Sequence, residues 1–170
     1  MNIRSFLIIF AMSSLLYSEE NFGIVDHGGA GVMSGLSEER QQQIHKKIQE
    51  TVSEAYEILE QGGSSFDAVE LAVSMLEDSP LFNAGRGSVY NSDEVQEMDA
   101  SIMDGKNRLT GAVASVSIVK NPIKLARKVA EETKHVLLVG EGAERLSLIH
   151  ISEPTRPERI GGGGWGGEKK

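Results

Sequence analysis

The stretch His27-Gly28-Gly29-Ala30-Gly31 places an imidazole at the mouth of a glycine-rich turn, directly after the apolar run Gly23 to Asp26. This pattern predicts a strand entering a loop that needs unusual backbone angles or close approach. The loop lacks the spacing of a dinucleotide fingerprint, and no helix follows at once to receive a pyrophosphate. Its glycines would let backbone N–H groups come close to a ligand or a neighbouring chain, although a tight structural turn explains them equally well. His27 has the chemistry of a base or metal ligand. No second histidine or carboxylate stands at ligand spacing, so it reads as a structural residue.

A second group is Pro80-Leu81-Phe82-Asn83-Ala84-Gly85-Arg86-Gly87-Ser88, a loop with two glycines, an amide and a guanidinium. It could bind a cation through its carbonyls or hold a substrate. A buried Asn83 amide would have to be fully hydrogen-bonded and would therefore position something. The alternative is an asparagine that supports its own turn. Asp99 and Asp104 lie on a strand and its turn, cannot form a carboxylate pair for acid/base work, and are expected to accept backbone hydrogen bonds.

The elements that would carry these groups follow from periodicity. Ser37 caps a helix with Ile44, Ile48, Val52, Ala55, Tyr56 and Leu59 at helical spacing, stopped by Gly62-Gly63. Ser65 starts a second helix with Phe66, Val69, Val73 and Leu76 on one side, closed by Pro80. From Met98 the period becomes two, with Met98, Ala100 and Ile102 on one face, then the Asp104-Gly105 turn. Gly111 to Val119 is a neighbouring antiparallel strand with Val113, Ser115, Ser117 and Val119 on one face. Pro122 opens a helix through Ala130, and Val136 to Val139 is a further strand ending at Gly140. The order β, α, α, β, β, α, β predicts a layered α/β domain.

With 170 residues, 39% hydrophobic, the chain can bury the core of one domain. A net charge of -8 argues against nucleic acid as a partner. The absence of cysteine removes disulfides, thiolate zinc sites and a cysteine nucleophile.

Both ends read differently from the middle. Met1 to Arg4 carries one positive charge, and Ser5 to Tyr17 is nearly all apolar but too short to span a bilayer. With Ser18 ahead of Glu19-Glu20, residues 1–18 are read as a signal peptide and the protein as exported, periplasmic or secreted, with no membrane association after signal removal. From Leu146 no regular period fits, and Gly161 to Gly167 is glycine broken only by Trp165. Leu146 to Arg156 is similar to an in-frame translation of a transposon-end adapter used in sequencing libraries. Residues 146–170 are therefore read as a non-native read-through tail, against the alternative of a native glycine-rich one, which leaves 19–145 as the domain.

Taken in order, His27 to Gly31, Phe82 to Val89, Glu97 to Gly105, Gly111 to Ala114, Asn121 to Val129 and His135 to Glu144 strongly resemble the plant-type asparaginase/isoaspartyl peptidase family of threonine N-terminal-nucleophile hydrolases. The resemblance implies the N-terminal half of an αββα sandwich, made as a precursor that cuts itself before a Gly-Thr peptide. The freed threonine is then both nucleophile and, through its α-amine, its own base. It implies L-asparagine and β-aspartyl dipeptides as substrates, no cofactor beyond a structural sodium ion, and a homodimer of αβ units in the full-length form. Of the family's functional residues, His27, Gly28, Gly29, Ala30 and Gly31 match a loop bearing on self-cleavage, and Asn83 an asparagine supporting the nucleophile region. Main-chain oxygens of Leu76, Glu77, Ser79, Phe82, Ala84 and Arg86 match the sodium loop. No Gly-Thr pair occurs in the chain, so the catalytic residue cannot be named and the chain as given is expected to be inactive. Thr110 follows Leu109 rather than glycine and is not the nucleophile. Glycosylasparaginase shares the Met103 to Gly105 region, but Asn83 to Gly87 and His27 to Gly29 favour the asparaginase branch. A stand-alone binding domain without catalysis is the third reading.

Overall fold

The computed structural model describes residues 22–29 and 35–150. Helix α1 spans Glu38–Glu60 and helix α2 Ser65–Glu77. Ser37 and Ser64 cap them through side-chain oxygens that accept from the Arg40 and Asp67 N–H groups, which satisfies donors the helices cannot use. Between the two helices Gly62 takes a φ of 79°, and the Gly63 N–H returns to the Ile58 carbonyl at 2.8 Å. This left-handed stop turns the chain into a helical hairpin. Ala55 meets Ala68 and Ala72 there, with Ile24, Ile58 and Leu59 around them.

Strands β1 (Met98–Asp104) and β2 (Leu109–Val116) form an antiparallel pair, and β3 (Leu137–Val139) joins β2 in parallel. Helix α3 (Pro122–Glu132) makes the crossover, with Pro122 at its start. It lays Ile123, Ala126, Val129 and Ala130 on the face that carries Met98, Ile102, Val113 and Val116. Arg127 points from α3 to α2, where it pairs with Asp67 at 2.7 Å and Glu70 at 2.8 Å and lies 4.8 Å from the centre of the Phe66 ring. Burial works against its charge, but the hydrogen bonds it donates to Asp67, Glu131 and Glu70 outweigh this and raise its pKa.

Among the described residues, only one face of the sheet is covered. Ser101 stands opposite Ala112 and Ala112 opposite Leu137, while Met103 stands opposite Thr110 and Ala114 opposite Val139. On that open face Met103, Leu137 and Val139 are exposed. The fold is α/β, consistent with part of an αββα sandwich.

Four details differ from the sequence expectations. Gly23 to Asp26 forms no strand with any of the described residues, and a strand needs a neighbour to bond. Val69 is 42% exposed, and Ala68 and Ala72 take the inner side of α2. Along β2 the alternation breaks because Asp99 faces two residues, Ala114 and Ser115, rather than one. Ser115 takes a φ of 51° and stays exposed, so Val116 becomes the core residue. Finally, α4 (Glu141–His150) crosses the boundary at Leu146, with Leu146 against the core and Ser147 buried. A helix already begun extends by one bond per residue whatever the origin of the next turn.

Candidate functional site

The two loops singled out by sequence meet in space. A β-carbon on Gly28 would lie 2.8 Å from Cδ1 of Ile48 in α1 and 3.1 Å from Cε1 of Phe82. Glycine is therefore what lets the 27–29 turn close over the buried Phe82 ring. Gly29 has a φ of 102°, and its N–H donates to Nδ1 of His27 at 3.2 Å. Nδ1 accepts in that bond, which leaves the proton of a neutral ring on Nε2. His27 is exposed and holds its own turn. Ala30 and Gly31 lie outside the described residues.

Gly85–Gly87 forms one 3-10 turn, closed by the Ser88 N–H and Oγ on the Gly85 carbonyl at 3.2 and 2.8 Å. Gly85 has a φ of 50°. A β-carbon there would overlap the Glu77 carbonyl oxygen, and one on Gly87 would overlap that of Phe82 and lie 3.1 Å from that of Ser79. Main-chain oxygens of Glu77, Ser79 and Phe82 thus crowd around two bare α-carbons. The Leu76 and Ala84 carbonyls accept from the Ser79 and Gly87 N–H groups at 3.1 and 3.0 Å, each retaining a second lone pair. Among the described residues, no group of three or more His, Asp or Glu side chains could hold a metal ion.

Asn83 is exposed, which corrects the expectation of a buried amide. Its Oδ1 accepts from the Val89 N–H at 2.9 Å and spans the loop. It lines a hollow with Glu77, Ser88, Glu97 and Asp99. As expected, Asp99 and Asp104 act as backbone acceptors, from the Ser115 N–H at 2.8 Å and the Lys106 N–H at 2.9 Å.

Sequence reasoning used only the carbonyl of Glu77 and missed its side chain. That residue is 3% exposed, its Oε1 accepts from the Ile123 N–H at 2.9 Å, and its Oε2 has no hydrogen-bond partner. The signal was present as an acid closing the apolar run Met75-Leu76. Burial pushes its pKa up from 4.5 to about 7, against the opposing effect of the Ile123 hydrogen bond. Folding therefore takes up a proton between these values. The stabilisation is full below pH 4.5 and is lost as pH rises through about 7. In sodium-free buffer the folding free energy is expected to fall by on the order of 2–3 kcal/mol across that window. Glu77→Gln should flatten the slope, as read from urea melts at pH 5 and 8.

The family model for asparaginase matches residues 20–158. The chain belongs to the asparaginase family. It is similar to the isoaspartyl peptidase/L-asparaginase of Rattus norvegicus, with 51% identity over 137 residues, which are 81% of this chain and 40% of the relative. The putative isoaspartyl peptidase/L-asparaginase of Dictyostelium discoideum is 47% identical, over 78% of this chain and 40% of its own length. The plant-type L-asparaginase of Pyrococcus furiosus is 51% identical, over 80% and 44%. The chain thus spans about two fifths of the length of these relatives. They are intracellular enzymes, which overturns the expectation of an exported protein. Residues 1–18, on which that expectation rested, lie ahead of the family match and outside the described residues.

Proposed function

We propose that residues 19–145 are the N-terminal part of an isoaspartyl peptidase/L-asparaginase that hydrolyses the side-chain amide of L-asparagine and β-aspartyl dipeptides. The observation that carries this reading is about 50% identity to relatives of that name. The meeting of the Gly28 and Phe82 loops supports it. In the full-length form the enzyme matures by self-cleavage, a threonine attacks the amide carbon, and two αβ units pair. Residues 146–170 are a read-through tail, which resequencing the 3′ end of the gene tests.

Leu76, Glu77, Ser79, Phe82, Ala84 and Arg86 would hold a structural sodium ion through main-chain oxygens. The crowding of three of these carbonyls around Gly85 and Gly87 fits such an ion, since hard cations take oxygen ligands. The ion would supply rigidity to the loop.

Asn83 tests the reading in the full-length protein. Asn83→Ala is expected to cost about 1 kcal/mol of stability, the usual net value of one hydrogen bond. It is also expected to slow self-cleavage by on the order of tenfold or more, because small misplacements near reacting atoms cost large rate factors. A gel time course of precursor splitting, read beside thermal melts, checks both. Equal splitting rates would reduce Asn83 to a turn residue. An intact full-length protein that neither splits nor releases ammonia from L-asparagine would overturn the function itself.

A further inference from the structure

We propose that the Glu77 side chain is a positioning residue that ties the Asn83 loop to the start of α3. The proposal rests on the reading of that loop as part of the site. Glu77 ends α2, so its own carbonyl is one of those the helix leaves unused, and this oxygen faces Gly85 so closely that a β-carbon would overlap it. Its side chain leaves in another direction and accepts the Ile123 N–H at 2.9 Å. That N–H belongs to the first turn of α3, where the N-cap residue Asn121 makes no side-chain capping bond. Glu77 supplies the missing cap from 46 residues away.

Asn121 is turned to other partners, donating to Asp78 Oδ1 at 3.0 Å and to the Ser74 carbonyl at 3.5 Å. The end of α2 and the start of α3 are thus joined by two adjacent acids with different tasks. Asp78 is half-exposed and also pairs with Lys120 at 3.0 Å, so it serves the surface. Glu77 is enclosed, and it lines the hollow together with Asn83 and Asp99. Asp99 in turn holds the Ser115 N–H at the bulge of β2. One residue therefore links the two: its side chain holds the start of α3, and its main chain faces Gly85 in the loop. A core glutamate with an unpartnered oxygen is costly. The use that fits this geometry is to keep loop and helix in one register.

The test compares Glu77→Gln and Glu77→Ala in the full-length protein by amide hydrogen exchange at Ile123, whose N–H binds Glu77, and at Val89, whose N–H binds Asn83. Glutamine keeps the acceptor for Ile123, so both amides should retain protection. Alanine should lower protection at both amides together and slow splitting by about tenfold or more. Loss at Ile123 with Val89 unchanged would show a helix cap only and overturn the proposal. Failure of the glutamine variant to restore Val89 would overturn it as well. Because exchange is read without turnover, a protein that never splits refutes the proposed function and still decides the role of Glu77. Should the alanine variant not fold, Glu77→Asp, which shortens the reach to Ile123, gives the same two-amide comparison.

Discussion

A preparation of these 170 residues is expected to release no ammonia from L-asparagine, and no aspartate from a β-aspartyl dipeptide, above a heat-killed control. The chain contains no Gly-Thr pair, so no internal cut can free a threonine amine. Thr110 cannot stand in. It sits inside β2 opposite Met103, preceded by Leu109, with its backbone engaged in the sheet. His27 spends Nδ1 on its own turn, and Asn83 spends Oδ1 on Val89. Neither is aimed at a nucleophile among the described residues. Removing the nucleophile of a hydrolase costs on the order of 10⁶-fold even where the rest of the site survives, so the expected signal is below detection. Substrate-dependent ammonia release that scales with protein concentration would show a different catalytic group and sink this reading.

The largest expected effect on folding comes from Gly111→Val. Gly111 is buried where β2 passes beneath α3. A β-carbon there would overlap the Ala126 carbonyl oxygen and lie 2.5 Å from the Ala130 nitrogen and 2.8 Å from its Cβ. These neighbours are mostly helix backbone, which cannot swing aside as a side chain could. Relief would require moving α3 off the sheet, and with it Ile123 and Val129, which are fully buried. Overpacking a tight site costs about 1–3 kcal/mol and sometimes more, and valine adds branches where even one carbon does not fit. A loss of more than about 3 kcal/mol is expected, a large part of the stability of an ordinary domain. Loss of the cooperative melt by circular dichroism, next to a control Gly105→Ala whose β-carbon meets nothing within 4 Å, checks it. Equal melting of the two variants would mean that α3 does not lie this close to β2.

Much of this arrangement was legible in the sequence because local signals and tertiary partners agreed. Ser37, the Gly62-Gly63 stop, Pro122 and the alternation from Met98 to Asp104 each carry a short-range reason for the element they mark. Gly23 to Asp26 has the apolar look of a strand but no described partner, and pairing cannot be read from one segment alone. The bulge at Ser115 arises because the Asp99 carboxylate captures its N–H, a contact across 16 residues with no local trace. The burial of Glu77 was hidden for a similar reason: its side-chain partner, the Ile123 amide, lies 46 residues further along. The loops that carry His27 and Asn83 were recognisable by composition. That they meet through Gly28 and Phe82 required the fold.

The half-covered sheet bears on the order of events during synthesis. Once β3 has paired with β2, Met103, Leu137 and Val139 form an apolar surface on the side away from α3. In a protein as long as its relatives, this surface exists before the residues that follow have left the ribosome. At about 5–20 residues per second, that interval is on the order of tens of seconds. Strand edges and apolar patches exposed for so long invite pairing with other chains. Holdase capture of the nascent chain should therefore peak just after residue 139 emerges and end when the remaining chain arrives.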